Sequence, residues 1–299
     1  MMTYVATLVC DPAAPCLTAN VLQRAGAALS RPEPPRWLDQ GIAADIAFEP
    51  DGAGPAAAAG SVRAMLGGAP VDVVVQRLEG RRKKLLLADM DSTMIGQECL
   101  DELADKIGKR DHVAAITLRA MKGEIEFEPA LRERVAVLKG LGRAGILDII
   151  ANRITVTPGA AALVQTMRAN GAYTVLVSGG FNIFTSVIAK RLGFDEHRAN
   201  ELLFDQNDRL TGLAAEPVLG KEAKLAALKE LRAKLGLTAP ETLAVGDGAN
   251  DLPMLEAAGL GVAFHAKPKV AAVAHARIDH ADLTALLYAQ GFSRKDFVA

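Results

Sequence analysis

From residue 85 onward the chain alternates short apolar runs with longer segments whose apolar positions recur every three or four residues. The runs Leu85-Leu86-Leu87-Ala88, 173–177, 242–245 and 261–264 carry almost no polar positions, as expected of strands covered on both faces of a parallel sheet. Between and after them, 160–169, 182–192, 222–235 and 251–258 show helical periodicity. Such alternation predicts βαβ units and an α/β fold with a Rossmann-like parallel sheet. A hairpin is expected over 200–215, turning near Asn207-Asp208. One stretch breaks the alternation: 98–107, 112–122, 128–138 and 147–153 read as successive helices with no strand between them. Set between the first strand and the rest, this block predicts a helical cap inserted over the strand ends.

The first 80 residues follow a different pattern. Strands are expected at 4–9, 42–48 and 71–76, and helices at 17–29 and 56–66. Arg31-Pro32-Glu33-Pro34-Pro35 and Pro50-Asp51-Gly52-Ala53-Gly54-Pro55 punctuate them. This is a small α+β unit without a cluster of reactive side chains. The predicted division is therefore a domain at 1–80, a core at 81–94 and 154–299, and a cap at 95–153. The basic run Arg81-Arg82-Lys83-Lys84 joins the first two and reads as a solvated linker.

At 299 residues the chain can bury two cores. Half of it is hydrophobic but only 4% aromatic, so Ala, Leu and Val must do the packing. A net charge of −1 offers no footprint for nucleic acid or an anionic membrane. No secretory leader is expected, since Asp11 and Pro12 interrupt the first apolar segment. No run approaches the ~18 apolar residues of a membrane span. Cys10, Cys16 and Cys99 lack metal spacing and fit a reducing cytoplasm. A small-molecule partner remains; nothing decides between monomer and homodimer.

The chemistry gathers where predicted strands end. Asp89 and Asp91 follow the first apolar run. Two carboxylates leaving a buried strand can divide labour, one attacking phosphorus and the other moving protons. Ser178-Gly179-Gly180 follows 173–177; a hydroxyl and backbone N–H groups beside a helix start suit phosphate oxygens, although an ordinary turn would look alike. Gly246-Asp247-Gly248-Ala249-Asn250-Asp251 follows 242–245. Its hard oxygen donors suit Mg²⁺, and its glycines permit a tight turn. Lys221 opens a helix and could neutralise phosphate, though a lone lysine is most often a solvated surface group. Glu98 and Arg134, in the helical block, could grip a zwitterion by its ammonium and carboxylate; alone, each is an ordinary surface charge. Gly140-Leu141-Gly142-Arg143-Ala144-Gly145 matches a dinucleotide fingerprint in letters only, because it ends a helical run instead of following a strand.

In this order the motifs resemble those of the haloacid-dehalogenase-like superfamily, and within it the phosphoserine phosphatases. The resemblance covers roughly residues 81–290 and is carried by Asp89–Glu98 (DMDSTMIGQE), 121–138 (MKGEIEFEPALRERVAVL), 178–181 and 245–251. It implies hydrolysis of O-phospho-L-serine through an aspartyl-phosphate on Asp89. Asp91 would act as general acid and then base, with Ser178, Gly179 and Lys221 around the phosphoryl group. Lys224, one helical turn on, is the other candidate lysine; spacing favours Lys221. Mg²⁺ would bind Asp89, the Asp91 carbonyl and Asp247, with Asn250 and Asp251 supporting that end. Glu98 would meet the ammonium, Arg134 the carboxylate, and Met121 and Phe127 would form an apolar lid. A related phosphatase, or a phosphotransferase to an acceptor such as homoserine, would show the same motifs. The first 80 residues resemble ACT-like regulatory domains; a structural or dimerising appendage is the alternative.

Overall fold

In the computed structural model, which describes residues 3–52, 54–121 and 124–298 apart from the side chains of Met121 and Lys221, the amino-terminal unit runs β1 (Tyr4–Val9), α1 (Ala19–Ala27), β2 (Arg36–Asp39), β3 (Ala43–Phe48), α2 (Pro55–Leu66), β4 (Asp72–Arg77). Its sheet has the order β2-β3-β1-β4, with β1 antiparallel to both neighbours. Period-two alternation gives the sheet two faces. Ala6, Leu8, Ile46, Val73 and Val75 pack against Leu22, Ala25, Val62 and Leu66 of the two helices. Val9, Ala43 and Val74 point the other way and join the main core of the molecule. Thr18 caps α1 through a bond from the Val21 N–H, 3.3 Å, and α2 ends at Gly67 in the left-handed region. Strand β2 escaped the sequence pattern: it follows Pro32, Pro34 and Pro35, which an edge strand tolerates, and Leu38 is its one buried residue.

The second unit opens with β5 (Leu85–Ala88) and is then interrupted by four helices, α3 (Cys99–Lys106), α4 (Arg110–Met121), α5 (Phe127–Val137) and α6 (Arg143–Asn152). It resumes with α7 (Ala160–Ala169), β6 (Tyr173–Phe181), α8 (Asn182–Leu192), β7 (Glu196–Asn200) and a hairpin of β8 (Leu202–Phe204) and β9 (Leu210–Ala214). Then follow α9 (Lys221–Lys234), β10 (Thr242–Gly246), α10 (Leu252–Ala257), β11 (Leu260–Phe264), α11 (Pro268–Ala271), β12 (Ala276–Ile278) and α12 (Ala285–Ala289). Six strands form one sheet, β12-β11-β10-β5-β6-β7, parallel at every pairing. Leu86, Ala88, Leu176, Leu243 and Val245 face one layer of the core. Leu85, Leu87, Val175, Val177 and Ala244 face the other, under Leu228, Leu231, Met254 and Leu255. The α/β sheet with an inserted helical block and an α+β amino-terminal unit is the expected fold class.

Two edge strands were not foreseen. Strand β7 (Glu-His-Arg-Ala-Asn) is polar, and only Asn200 in it is buried; β12 is three residues long. Helix α6 starts at Arg143, earlier than the expected 147, with Gly142 at its cap. No strand precedes the glycines at 140–145: Gly140 and Gly142 lie between α5 and α6, and Gly145 is in the first turn of α6. The basic run is not a solvated linker. Its residues alternate in and out: Arg81 and Lys83 are buried, Arg82 and Lys84 exposed. Arg81 pairs with Asp45 at 2.7 Å. The Lys83 ammonium donates to the Pro240 carbonyl, 2.8 Å, and burial lowers its pKa to about 8. Among the described residues, no helix is long and apolar enough to cross a membrane.

Candidate active site

Strands β5, β6 and β10 are neighbours with the same direction, so the loops after them meet at one edge of the sheet, where open α/β folds hold ligands. Asp89 keeps the ladder for one more bond, donating its N–H to the Val245 carbonyl, 3.0 Å. The chain then turns away: Asp91 is extended (φ −65°, ψ 136°) and Ser92 left-handed (φ 53°). The two carboxylates are therefore aimed at different partners. Asp89, 5% exposed, accepts from the Lys224 ammonium at 2.6 Å. Asp91 accepts from the Ser178 hydroxyl at 3.1 Å and from the Cys99 N–H at 2.8 Å, the first amide of cap helix α3.

The glycine-rich loop after β10 is shaped around Asp251. A Cβ on Gly246 would lie 2.4 Å from the Asp251 carboxyl carbon, and one on Gly248 would lie 2.3 Å from the Asn250 side-chain oxygen. Only glycine permits such approach. Fully buried, Asp251 accepts from Lys224 at 2.6 Å and from the Gly248 N–H at 2.9 Å. Both its oxygens are thus engaged, while Asp247 receives one long bond, from the Thr93 hydroxyl at 3.4 Å.

Asp89, Asp247 and Asp251 each bring a carboxylate oxygen within 4.8 Å of the others. Lys224 alone does not balance three carboxylates in a buried site. Burial first, then the charge of Asp251, pushes Asp89 well above the usual carboxylate range. The same two causes push Asp247 up to about 6. Burial opposes the charge on Lys224, but Asp89 and Asp251 outweigh it and hold the ammonium protonated. The negative charge left over, on hard oxygen donors, is what a divalent cation would neutralise, so the residues fit such an ion.

Ser178 accepts from the Gly180 N–H, 2.8 Å. A Cβ on Gly180 would stand 3.0 Å from both the Asp91 carboxylate and the Ser178 hydroxyl. The loop is braced from behind by Asn200, whose amide donates to the Gly179 carbonyl, 2.9 Å, and accepts from the Leu219 N–H, 2.7 Å. Asn200 was not anticipated; as a single amide in an unrecognised strand it left no sequence signal.

On the cap side, Glu98 sits just before α3 and accepts from the Ser92 hydroxyl at 2.7 Å. Although the residue is open to solvent at the cleft mouth, protein packed around its carboxylate and then the charge of Asp91 push it up to about 7. Arg134, on α5, is half-buried and donates to the Ala130 carbonyl, 3.2 Å. Burial weakens its hold on the proton, while Asp101 and Glu98 oppose that. Phe127, the first residue of α5, covers the phosphate-side loops: a Cβ on Gly179 would come within 3.5 Å of its ring and one on Gly220 within 3.6 Å.

The structure thus brings Asp89, Asp91, Ser178, Gly179, Asp247, Asn250 and Asp251 to one sheet edge, with Glu98, Arg134 and Phe127 facing them from the cap. The side chains of Met121 and Lys221 lie outside the described residues. Among the described side chains, the lysine in contact with Asp89 is Lys224, which the spacing argument set aside. A signal for it was present: Lys224 falls on the apolar stripe of α9 with Ala227, Leu228 and Leu231, and so points into the core.

The model of the family described as haloacid dehalogenase-like hydrolase matches residues 86–256. A phosphoserine phosphatase of Albidiferax ferrireducens is 46% identical over 209 residues, covering 68% of this chain and 88% of that protein. The crystal structure of a hydrolase of the same family from Salmonella enterica serovar Typhi superposes over 96% of this chain and 97% of its own, with a TM-score of 0.85 at 27% identity. A phosphoserine phosphatase solved as a phospho-aspartyl intermediate analogue covers 69% of this chain and 98% of its own, with a TM-score of 0.64 at 39% identity.

Proposed function

The chain belongs to the haloacid dehalogenase-like hydrolase family, and from that premise we propose that it is a phosphoserine phosphatase, hydrolysing O-phospho-L-serine to L-serine and phosphate as the last step of phosphorylated serine biosynthesis. One observation carries the reading. Asp89 is held by Lys224, the neighbouring Asp91 and Asp247 act by their charge on Glu98 of the cap, and Glu98 acts in turn on the Arg134 guanidinium. The Asp89 end suits a phosphoryl group and the end with Glu98 and Arg134 an amino-acid zwitterion.

In the proposed reaction an Asp89 oxygen attacks phosphorus and the bond from phosphorus to the seryl oxygen breaks. Asp91, protonated on the oxygen that faces Ser178, gives its proton to that leaving oxygen. The Ser178 hydroxyl, released from donating to Asp91, turns toward a phosphoryl oxygen. Water then attacks the aspartyl-phosphate, Asp91 takes its proton, and the bond from Asp89 to phosphorus breaks. Lys224 lowers the charge on Asp89 and the transferring group throughout. Mg²⁺ is the proposed cofactor; Asp89, Asp247 and the Asp91 carbonyl would hold it, and it would supply positive charge against the phosphoryl oxygens. Phe127 over Gly179 and Gly220 would exclude water. The unpaired thiols of Cys10, Cys16 and Cys99 support a cytoplasmic setting.

The test is phosphate release from O-phospho-L-serine and from p-nitrophenyl phosphate, with and without Mg²⁺, for the wild type and Arg134→Ala. We expect a strong wild-type preference for phosphoserine, dependence on Mg²⁺, and at least a tenfold loss of that preference in the variant, since a lost charged hydrogen bond costs about 1.5–3 kcal/mol. A wild type that hydrolyses both esters equally would retain the catalytic core and overturn the substrate.

A further inference from the structure

Ser92 stands between the catalytic strand and the cap, and the reaction above gives it no task. It adopts φ 53° and ψ 8°, a left-handed conformation that costs a non-glycine residue energy and persists only where the surroundings enforce it. Its hydroxyl donates to Glu98 at 2.7 Å, and its N–H donates to the Gln97 carbonyl at 3.3 Å. The left-handed turn folds residues 92–98 back on themselves, so that Glu98 returns to the mouth of the strand that Asp89 left. Gln97 completes the arrangement by bonding Thr155 on the other strand of the cap stem: its amide nitrogen donates to the Thr155 hydroxyl at 2.9 Å and its oxygen accepts from the Thr155 N–H at 2.9 Å.

We infer that Ser92 is a positioning residue for substrate selection: its hydroxyl fixes the Glu98 carboxylate in the orientation that receives the substrate ammonium, and its strained backbone brings that carboxylate to the cleft. The inference rests on the proposed function. Glu98 faces Asp91, Asp247 and Asp101, whose charges disfavour its ionised form, and the Ser92 hydroxyl bond is what opposes them. Arg134 across the cleft is the nearby cation. A glutamate on a flexible stem among three carboxylates would turn away toward water; the hydroxyl holds it in place.

The experiment uses full-length Ser92→Ala and Ser92→Gly, alone and combined with Glu98→Gln, assayed on O-phospho-L-serine from pH 6 to 9. Both single variants lack the hydroxyl, but glycine relieves the left-handed strain and alanine does not. The expected result is a rise in KM of about tenfold in both, falling on KM more than on kcat. The acidic limb of kcat/KM should move to higher pH, because a bond that favours the ionised carboxylate is gone. In the Glu98→Gln background the same changes should add less than about twofold. A rise confined to Ser92→Ala would assign the effect to backbone strain and overturn the positioning role. So would additive losses in the double variants. A wild type without preference for phosphoserine over p-nitrophenyl phosphate would instead overturn the underlying substrate reading.

Discussion

The sheet core carries two additions, and the way each is joined differs. The amino-terminal unit is sealed to the core by buried polar groups with fixed partners. Asp72, 3% exposed, accepts the N–H groups of Asp279, His280 and Ala281 at 2.8, 3.1 and 2.8 Å. Arg81 bonds Asp45 at 2.7 Å, Tyr288 donates to Asp39 at 2.7 Å, and Gln76 donates to the Ala289 carbonyl at 2.8 Å. The cap is joined otherwise. Its apolar residues, among them Leu103, Val113, Leu131 and Ile149, run into the same core as one face of the sheet. Its charged links to the rest, Arg132 to Glu216 and Arg143 to Asp208, remain exposed. Buried polar contacts fix one geometry; solvated ones leave groups free to titrate and to meet a ligand. The sheet face of residues 1–80 that points away from their two helices is covered by the core.

Removing Arg81 attacks the sealed joint and has the largest expected effect. Asp45 would keep Arg36, at 3.0 Å, and the Thr7 hydroxyl, at 2.8 Å. The loss should therefore fall near the lower end for a broken buried pair, about 3 kcal/mol. Trp37, the one tryptophan of the chain, lies on β2 and reports on the amino-terminal unit alone. In urea, the fluorescence transition of Arg81→Ala should shift to lower denaturant together with the loss of phosphatase activity. A fluorescence transition well before the activity loss would show two independent units and break the comparison.

The same contrast explains what could be read from the chain beforehand. Strands such as β5 and helices such as α7 and α8 were plain because their burial is periodic and continuous. Strands β2, β7 and β12 were not, since edge strands bury few side chains and need no apolar run. The carboxylates of the site were evident because their spacing is local. Arg81 was read as solvated because a cation in sequence suggests solvent, and Lys224 was set second to Lys221 on spacing; only the three-dimensional arrangement places Asp45 beside the one and Asp89 and Asp251 beside the other. Glu98 and Arg134 could be named from resemblance, but the influence of Glu98 on Arg134 belongs to the fold.

On the cap side the corresponding prediction concerns pH. In the proposed role Glu98 receives an ammonium only when ionised, and burial first, then the charge of Asp91, pushes its pKa up to about 7. Below that value the free enzyme carries the neutral acid, so kcat/KM for phosphoserine should fall about tenfold per pH unit, and above it should level off. Titration of the ester phosphate, with a second pKa near 6, affects p-nitrophenyl phosphate as well. The ratio of the two kcat/KM values therefore isolates Glu98. Glu98→Gln should flatten that ratio across pH 6 to 8. A wild-type ratio independent of pH would mean that the cap carboxylate is as fixed in charge as the buried contacts of the amino-terminal joint, and the contrast would fail.

The smallest effect is expected where the cap touches the core through solvent. Arg132 bonds Glu216 at 2.8 Å and Glu128 at 3.2 Å, with both partners exposed. An exposed pair gains little, because water already satisfies each ion and the long side chains lose freedom by meeting. Arg132→Ala should leave the unfolding midpoint where it is and change kcat/KM for phosphoserine by less than about twofold. Arg81→Ala removes one buried ion pair, whereas Arg132→Ala removes two exposed ones, so burial and not the number of pairs favours the larger loss at Arg81. A loss for Arg132 at least as large as that for Arg81 would mean that the number of ionic contacts governs each joint; a large loss for Arg81 and none for Arg132 would assign the rigidity of the amino-terminal joint to the burial of its charges, and would leave the cap free to open and close over its substrate.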